Sequence, residues 1–465
     1  MQMNSEFGYQ NNLRNEKDKK LSKILLVGIV IVAILIIGIM YAITYIQKNT
    51  FRIYVDGKEV SLAEDTILID EQTGKIHVDI MGIASTLGYD AHKGEFKLYT
   101  EDENKCWVEN DNETASFYLN SNKISKVVPN QTKDYEDYII EDPIVRKNGK
   151  LYCTPEGIKI GFNVTFNYNA EGKNIQIYTL PYLVKSYNTQ FKKLGYDDGI
   201  DKNFNNQKAI LYNLFVVKKD NNLYGVVNSK NQEIISSKYS KMVFNENARE
   251  FYVTNTTNKK GIVTEDGTTK INLLYDEISM IDKNHGLYVV KSNGKYGVLG
   301  NQGNIVIHLE YDQIGVNVSS FPNNNITNKY VLFENAIPVY QNKKWGMFDV
   351  NGNLILPLNY DVIGYSSGAT GNLSGKIVNN LLIVPSHKAI VFGQDSMVQS
   401  GNTTRKVKLY GIYDNKGNEL IPVALTNAYF VINAGVNTYH MEYMGKTLNI
   451  EDYLEKHKSE AATNQ

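Results

Sequence analysis

Five glycines set in one recurring register constrain this chain more than any other feature. Lys295-Tyr296-Gly297-Val298-Leu299, the turn Asn301-Gln302-Gly303, the run Ile305-Val306-Ile307 and then Tyr311-Asp312 make one unit. Gly225, Gly261, Gly346 and Gly411 hold the same place in further units, preceded by Tyr224, Lys260, Trp345 and Tyr410. Fourteen residues after the glycine come Tyr239, Tyr275, Tyr311 and Tyr360, with Leu425 in the fifth unit. Six residues after it come Gly267, Gly303, Gly352 and Gly417, with Asn231 in the first. Self-similarity at a fixed period predicts a stack of like supersecondary units, each too small to bury its apolar face alone.

Each unit offers an alternating apolar run, a polar turn, the aromatic-glycine strand, a glycine turn and a third strand, the inventory of an antiparallel blade. The second glycines are expected to take positive φ. The glycine after the aromatic is expected to let a neighbouring ring lie across the backbone, while the Tyr or Trp fills the gap between units. Asp276, Asp312 and Asp361, directly after the tyrosine, are read as turn caps. A sixth, half-length unit begins near Tyr439. The expected domain covers 206–450 and is either a propeller sealed by mixed terminal strands or an open β-array. Key-glycine spacings of 36, 36, 49 and 65 place insertions at 318–329 and 366–406, and insertions into repeats map to loops where binding occurs.

Residues 24–46 are 23 positions without a charge. As a helix they reach about 35 Å, enough for a hydrocarbon core of about 30 Å. Arg14, Lys17, Lys19, Lys20 and Lys23 precede them, so the positive-inside rule predicts a cytoplasmic tail over 1–23 and everything after the helix outside the cell membrane. A cleaved signal peptide would have a shorter apolar core and a small-x-small site, which is not found.

Between the helix and the repeats, 51–180 reads as a duplicated α+β domain: a hairpin around Asp56-Gly57, then twice a strand, a short helix and a hairpin, with Gly88 and Gly161 as helix stops. Val55-Asp56-Gly57-Lys58, residues 84–89 and residues 157–162 resemble the copper amine oxidase N-terminal-like domain of bacterial surface proteins. That resemblance implies an accessory module and no copper chemistry. Residues 181–205 form a linker that starts helical, and 451–465 a charged C-terminal tail. Trp345-Gly346 with Asp349, Gly352, Leu354-Ile355-Leu356-Pro357 and Tyr360-Asp361 resembles the bacterial WG repeat, which implies a β scaffold.

The residues exclude more chemistry than they suggest. With 49 basic against 50 acidic residues, no field steers a polyanion, so nucleic acid is not an expected partner. Seven histidines are scattered without ligand spacing, so no metal or other cofactor is expected. Residues 368–375 are Gly-rich but lack the Gly-Lys-Ser/Thr ending of a phosphate loop, and no Gly-x-Ser-x-Gly elbow occurs, so no catalytic residues are assigned. Cys106 and Cys153 make either a disulfide or two buried thiols. The expected function is a non-catalytic envelope protein that presents its repeats to a wall polymer, peptide or protein. The alternatives are a glycan- or peptide-cleaving enzyme using carboxylates of the insertions, with two carboxylates facing across one cleft, and a structural spacer.

Overall fold

The computed structural model describes residues 19–23, 25–41, 52–62, 65–70, 73–88, 96–98, 104–109, 112–127, 136–169, 171–172, 174–196, 198–219, 221–317, 328–364, 371–373 and 376–463. A helix over Lys19–Tyr41 is long and apolar enough to cross a membrane and buries none of its apolar window, a description that a signal sequence also fits. Two compact units follow from the contacts. One comprises 1–108, 116–124 and 139–182, the other 109–115, 125–138 and 183–465.

In the first unit the duplication is visible as two strand-to-helix steps. Strand Ile76–Asp79 runs into helix Ile80–Thr86, whose first turn is capped by the Asp79 carboxylate on the Met81 N–H. Strand Lys150–Cys153 runs into helix Pro155–Phe162, capped by Thr154 on the Gly157 N–H. The two strands pair antiparallel, Cys153 opposite Val78. Asp56 and Gly57, both at positive φ, turn the hairpin between Arg52–Val55 and Lys58–Val60. Gly88 stands just past its helix at φ +88°, as the sequence predicts. Gly161 does not repeat that role. Asn163 at φ 52° ends the second helix, and Gly161 lies inside it because a Cβ there would overlap the Phe117 ring. The first copy's hairpin after residue 88 lies largely outside the described residues.

In the second unit, six antiparallel repeat sheets follow one another among the described residues, with a separate two-stranded pairing of Val316–Asn317 on Asn328–Lys329. The second and third, over residues 241–275 and 277–311, have four strands each in chain order. At the centre of each repeat the key glycine faces a wide bulge. Tyr224 pairs with Tyr239 and Val226 with Ile235, so residues 236–238 stand opposite Gly225 alone. The bulge presses a carbonyl onto the glycine: a Cβ on Gly261 or Gly346 would lie 2.6 Å from the oxygen of Ile271 or Leu356. The close neighbour is therefore the repeat's own third strand and not, as expected from sequence, an aromatic ring. The register also makes the residue before the glycine and the residue fourteen after it cross-strand partners, as in Tyr296 with Tyr311 and Trp345 with Tyr360.

Successive sheets are joined through the second glycines. Gly267, Gly303, Gly352 and Gly417 have φ between +72° and +88°. Each sits against a backbone carbonyl of the preceding repeat, at Ile234, Lys270, Val306 and Ile355, always nine residues past that repeat's key glycine. Aromatic rings add to the joint. Tyr311 meets Phe348 of the next sheet edge-on at 5.7 Å, and the hydroxyls of Tyr360 and Tyr413 lie 2.8 Å apart. Asn231, in the first repeat, has no earlier repeat to press on. It takes φ 60° and accepts a hydrogen bond from Tyr196 instead.

Two of the repeated aspartates, Asp276 and Asp312, cap turns, but those of the next unit, and Asp361 instead holds the N–H of Asp395 within a strand. Oδ2 of Asp276, Asp312 and Asp361 accepts the N–H of Asn293, Asn342 and Asp395, while Oδ1 takes Lys259, Lys295 and Lys344 at 2.6, 2.5 and 2.7 Å. Each lysine lies two residues before its own repeat's key glycine. Where Leu223 or Leu409 replaces it, Ser240 or Thr426 replaces the aspartate and donates to a carbonyl of the following hairpin. Asp361 is 22% exposed against 41% and 43% for Asp276 and Asp312. Asp361→Ala therefore lowers the melting temperature more than either equivalent, and Lys344→Met adds little on top of it. All three carboxyls are held below the ordinary 3.8: Asp276 and Asp312 chiefly by their lysines, Asp361 by the Asp395 N–H and Lys344 against the opposing effect of burial. Their contribution is present above about pH 4 and is lost as the pH falls further.

No strand of the C-terminal segment enters the first sheet, which is built from 215–239 alone. Mixed terminal strands thus do not seal the array among the described residues. Its first sheet is covered by helix Leu180–Lys193, whose Tyr187 and Phe191 rings lie 4.6 and 4.8 Å from Phe215. Ile450 and Leu454 of helix Ile450–Thr463 close the core between the fifth and sixth sheets. Helices at the ends of a repeat stack are what unpaired apolar faces require.

Candidate functional site

The second insertion is where the repeat pattern is most altered, and it divides three ways. Lys376–Asn380 leaves the fifth repeat and pairs with Asn427–Asn433 in the sixth sheet, and Gly371–Leu373 pairs in turn on the outer side of Lys376–Asn380, completing the half-length unit. Ile383 and Val384 pair back on Ile390 and Ala389 as a short apolar hairpin. The remainder lengthens two strands, Ala389–Ser400 and Thr403–Asp414, into one ribbon. Residues 318–327 and 365–370 lie outside the described residues.

That ribbon outgrows its sheet. The neighbouring strand on one side ends opposite Gly393 and the neighbour on the other begins opposite Tyr410. Residues 394–400 and 403–409 therefore run about 20 Å as two strands with no third strand on either side among the described residues. Alternation gives the ribbon two unlike faces. Asp395, Met397 and Gln399 stand opposite Lys408, Lys406 and Thr404, and Asp395 ties Lys406 and Lys408 at 2.7 and 3.1 Å. The other face is mixed, with Val398, Val407 and Leu409 set among Gln394, Ser396, Ser400, Thr403 and Arg405. Met397 is 67% exposed. The Asp395 N–H, bonded to Asp361, fixes the ribbon's root to the repeat clamp.

The enzyme alternative needs two carboxylates from the insertions, which hold only Asp395; elsewhere in the second unit carboxylates come together with lysines in a buried cluster. Glu113, Lys126, Lys208 and Glu246 form a closed ring of ion pairs with side chains no more than 10% exposed. Lys126 and Lys208 reach Glu113 at 2.7 and 2.6 Å and Glu246 at 3.5 and 3.2 Å. Tyr138 and Tyr212 hydroxyls add 3.2 and 3.1 Å bonds to Glu246. A carboxylate offers about four acceptor positions, and Glu246 has four partners. Burial would raise Glu113 and Glu246, but the ammonium groups outweigh it, holding Glu113 down at about 2 and Glu246 below its ordinary value. A carboxylate that is fully bonded and kept ionised is neither an available nucleophile nor a general acid. Glu250 is likewise engaged, with Lys270 at 2.7 Å and the Tyr288 hydroxyl at 3.0 Å, joining the second sheet to the third. None of these residues was singled out from the sequence, because charges scattered from 113 to 250 carry no spacing signal.

The remaining sequence candidates are structural. Tyr224, Tyr296, Trp345 and Tyr410 occupy the bulge register described above. Ser386 contacts both His387 and Glu451, but the serine lies between the other two, so no imidazole links acid to nucleophile. Among the described residues no group of His, Cys, Asp and Glu could hold a metal. Cys106 and Cys153 are fully buried free thiols. Burial pushes Cys106 up to about 12 and Cys153 well above its ordinary value, so neither is a reactive thiolate.

Comparison with known proteins bears on the repeats. A family model described as "WG containing repeat" matches residues 261–296, 296–321 and 345–369, so WG repeats occupy this stretch of the array. No curated protein matches the chain. Among solved structures, the chain is similar to BamB from Moraxella catarrhalis at 10% identity, over 76% of this chain and 98% of that one, with a TM-score of 0.19. It is also similar to BBS1N, solved in complex with ARL6DN, at 11% identity over 51% and 85% of the two chains, with a TM-score of 0.17.

Proposed function

We propose that this is a membrane-anchored, non-catalytic binding protein of the bacterial cell envelope. Its N-terminus is cytoplasmic, and its WG-repeat array is presented outside to a wall polymer, peptide or protein. The duplicated strand-helix steps support reading the membrane-proximal part as a copper amine oxidase N-terminal-like module that holds the array off the bilayer. The apolar helix over Lys19–Tyr41, with basic residues before it, supports the anchor and its orientation.

The ribbon at 394–409 carries the binding reading. A spacer gains nothing from two strands that leave their sheet and expose a methionine beside an ionic cluster, whereas a partner can pair with such an edge and read alternate side chains. The enzyme reading is disfavoured because the two insertions hold a single carboxylate, Asp395, and it is tied to Lys406 and Lys408. In the test, full-length protein in native membrane vesicles is sedimented with purified cell wall, alongside a variant in which 395–408 is replaced by a short Asn-Gly turn. Loss of wall association in the variant, with the melting temperature kept, is the expected result; equal association by both discards the ribbon as the contact. A C-terminal phosphatase fusion, active only outside the cytoplasm, reports the topology.

A further inference from the structure

Beside the ring of ion pairs the second unit has an open cleft of about 200 Å³. Its floor is the neutral ring itself, reached at Lys208 and Glu246. Its wall includes Phe244 and Tyr252, and its rim Glu136, Asn205 and Asn245. The rim groups differ in what they have left to bond. Asn245 accepts the Ala248 N–H, and its amide meets the Tyr252 hydroxyl. Asn205 is exposed and makes no hydrogen bond among the described residues, leaving a donor and an acceptor. Glu136 is held on one side only, by the Tyr138 hydroxyl at 3.0 Å, and that same hydroxyl lies 3.2 Å from Glu246 of the ring.

We propose that this cleft binds one sugar ring of an envelope glycan, with Glu136 and Asn205 as its polar contacts. This deepens the binding function proposed above and rests on it. The volume lies below the roughly 300–1,000 Å³ of sites for drug-sized ligands, so a single ring fills it. Adjacent hydroxyls of a pyranose donate to a carboxylate and both donate to and accept from a carboxamide, the two chemistries the rim has free. The C–H face of the sugar lies on the Tyr252 ring. Because the ring of ion pairs is neutral and internally bonded, it offers the ligand a rigid polar floor. Tyr138 transmits that rigidity to Glu136. The rival occupant is an ammonium group, since the rim carboxylate Glu136 attracts cations, as its electrostatic interaction with Lys283 shows.

The test titrates full-length protein in nanodiscs, by calorimetry, with D-glucose, N-acetyl-D-glucosamine, D-glucosamine and n-butylamine. A sugar Kd on the order of 1 mM is expected. Glu136→Ala and Asn205→Ala should each weaken it about tenfold at unchanged melting temperature, since both side chains are exposed. No sugar binding up to about 50 mM, sugar binding indifferent to both substitutions, or binding of butylamine with no sugar overturns the proposal. Wall sedimentation is measured on the same variants. If it still depends on the ribbon while the sugar titrations fail, the cleft assignment falls and the envelope-binding reading stands.

Discussion

Gly417→Ala and Gly352→Ala are expected to be among the most damaging single substitutions in the array, each costing on the order of 3 kcal/mol or more. Two effects coincide at these sites. Both glycines hold φ near +85°, where a β-carbon costs about 1–2 kcal/mol. In addition, a Cβ on either would overlap a backbone carbonyl of the preceding repeat, Ile355 or Val306, which cannot turn aside as a side chain could. The sheets would have to part by enough to admit a methyl group, and the aromatic contacts across the joint would loosen with them.

Gly294 separates the two effects. It has φ +79° in a hairpin turn with nothing within 4 Å of its missing Cβ, so Gly294→Ala should cost only the conformational part, about 1–2 kcal/mol. Asparagine separates them again, because it tolerates positive φ, as Asn231 does at the equivalent place in the first repeat. Gly294→Asn is then nearly neutral, while Gly352→Asn remains strongly destabilising. Thermal melts of the four variants decide the matter. Equal losses at 294 and 352 would mean that backbone conformation alone, and not the joint between repeats, selects glycine.

How much of this was legible in the chain depends on the range of the interaction. Positive φ at Gly267, Gly303, Gly352 and Gly417 follows from the turn each lies in, and six-residue spacing is enough to read it. The carbonyl under each comes from the preceding repeat, about 33 residues away in the regular units, and no local rule reaches it. The key glycine was explained by a ring because an aromatic precedes it; the bulge that supplies the true neighbour is set by pairing with the next strand, ten residues on. For the aspartates a signal was present and unused. Lys259, Lys295 and Lys344 accompany Asp276, Asp312 and Asp361, and both members change together where Leu223 meets Ser240 and Leu409 meets Thr426. The 65-residue spacing located an insertion but could not divide it, since donating two strands to the sixth sheet is settled by which edge lacks a partner. Gly161 was misread for a similar reason: its helix runs one turn-end further, to Asn163, because Phe117 needs the room.

The ring of ion pairs was invisible in sequence and should dominate the acid sensitivity of the second unit. Removing one member leaves an unmatched charge in the interior, so Glu246→Leu or Glu113→Leu is expected to cost about 3–5 kcal/mol. Removing a matched pair is different. Glu113→Leu with Lys126→Met leaves Lys208 facing Glu246, a neutral remainder, and the double variant should be more stable than Glu113→Leu alone. Acid reaches the same ring without mutation. Glu113 ionises at about 2 in the folded chain against an ordinary 4.5. Its carboxylate therefore stabilises the fold fully above about pH 4.5, by on the order of 3 kcal/mol, and that contribution drains away as the pH falls toward 2. Glu246, also held low, acts in the same direction. Chemical denaturation at a series of pH values between about 6 and 2.5 should show a steep loss for the natural chain and a shallower one for the double variant, whose Glu113 is gone. Parallel pH dependences in the two proteins would assign the acid sensitivity to the exposed aspartate clamps and leave the ring a bystander. A single variant as stable as the natural chain would go further, and mean that water already reaches charges which the geometry seals among Tyr138, Tyr212 and each other.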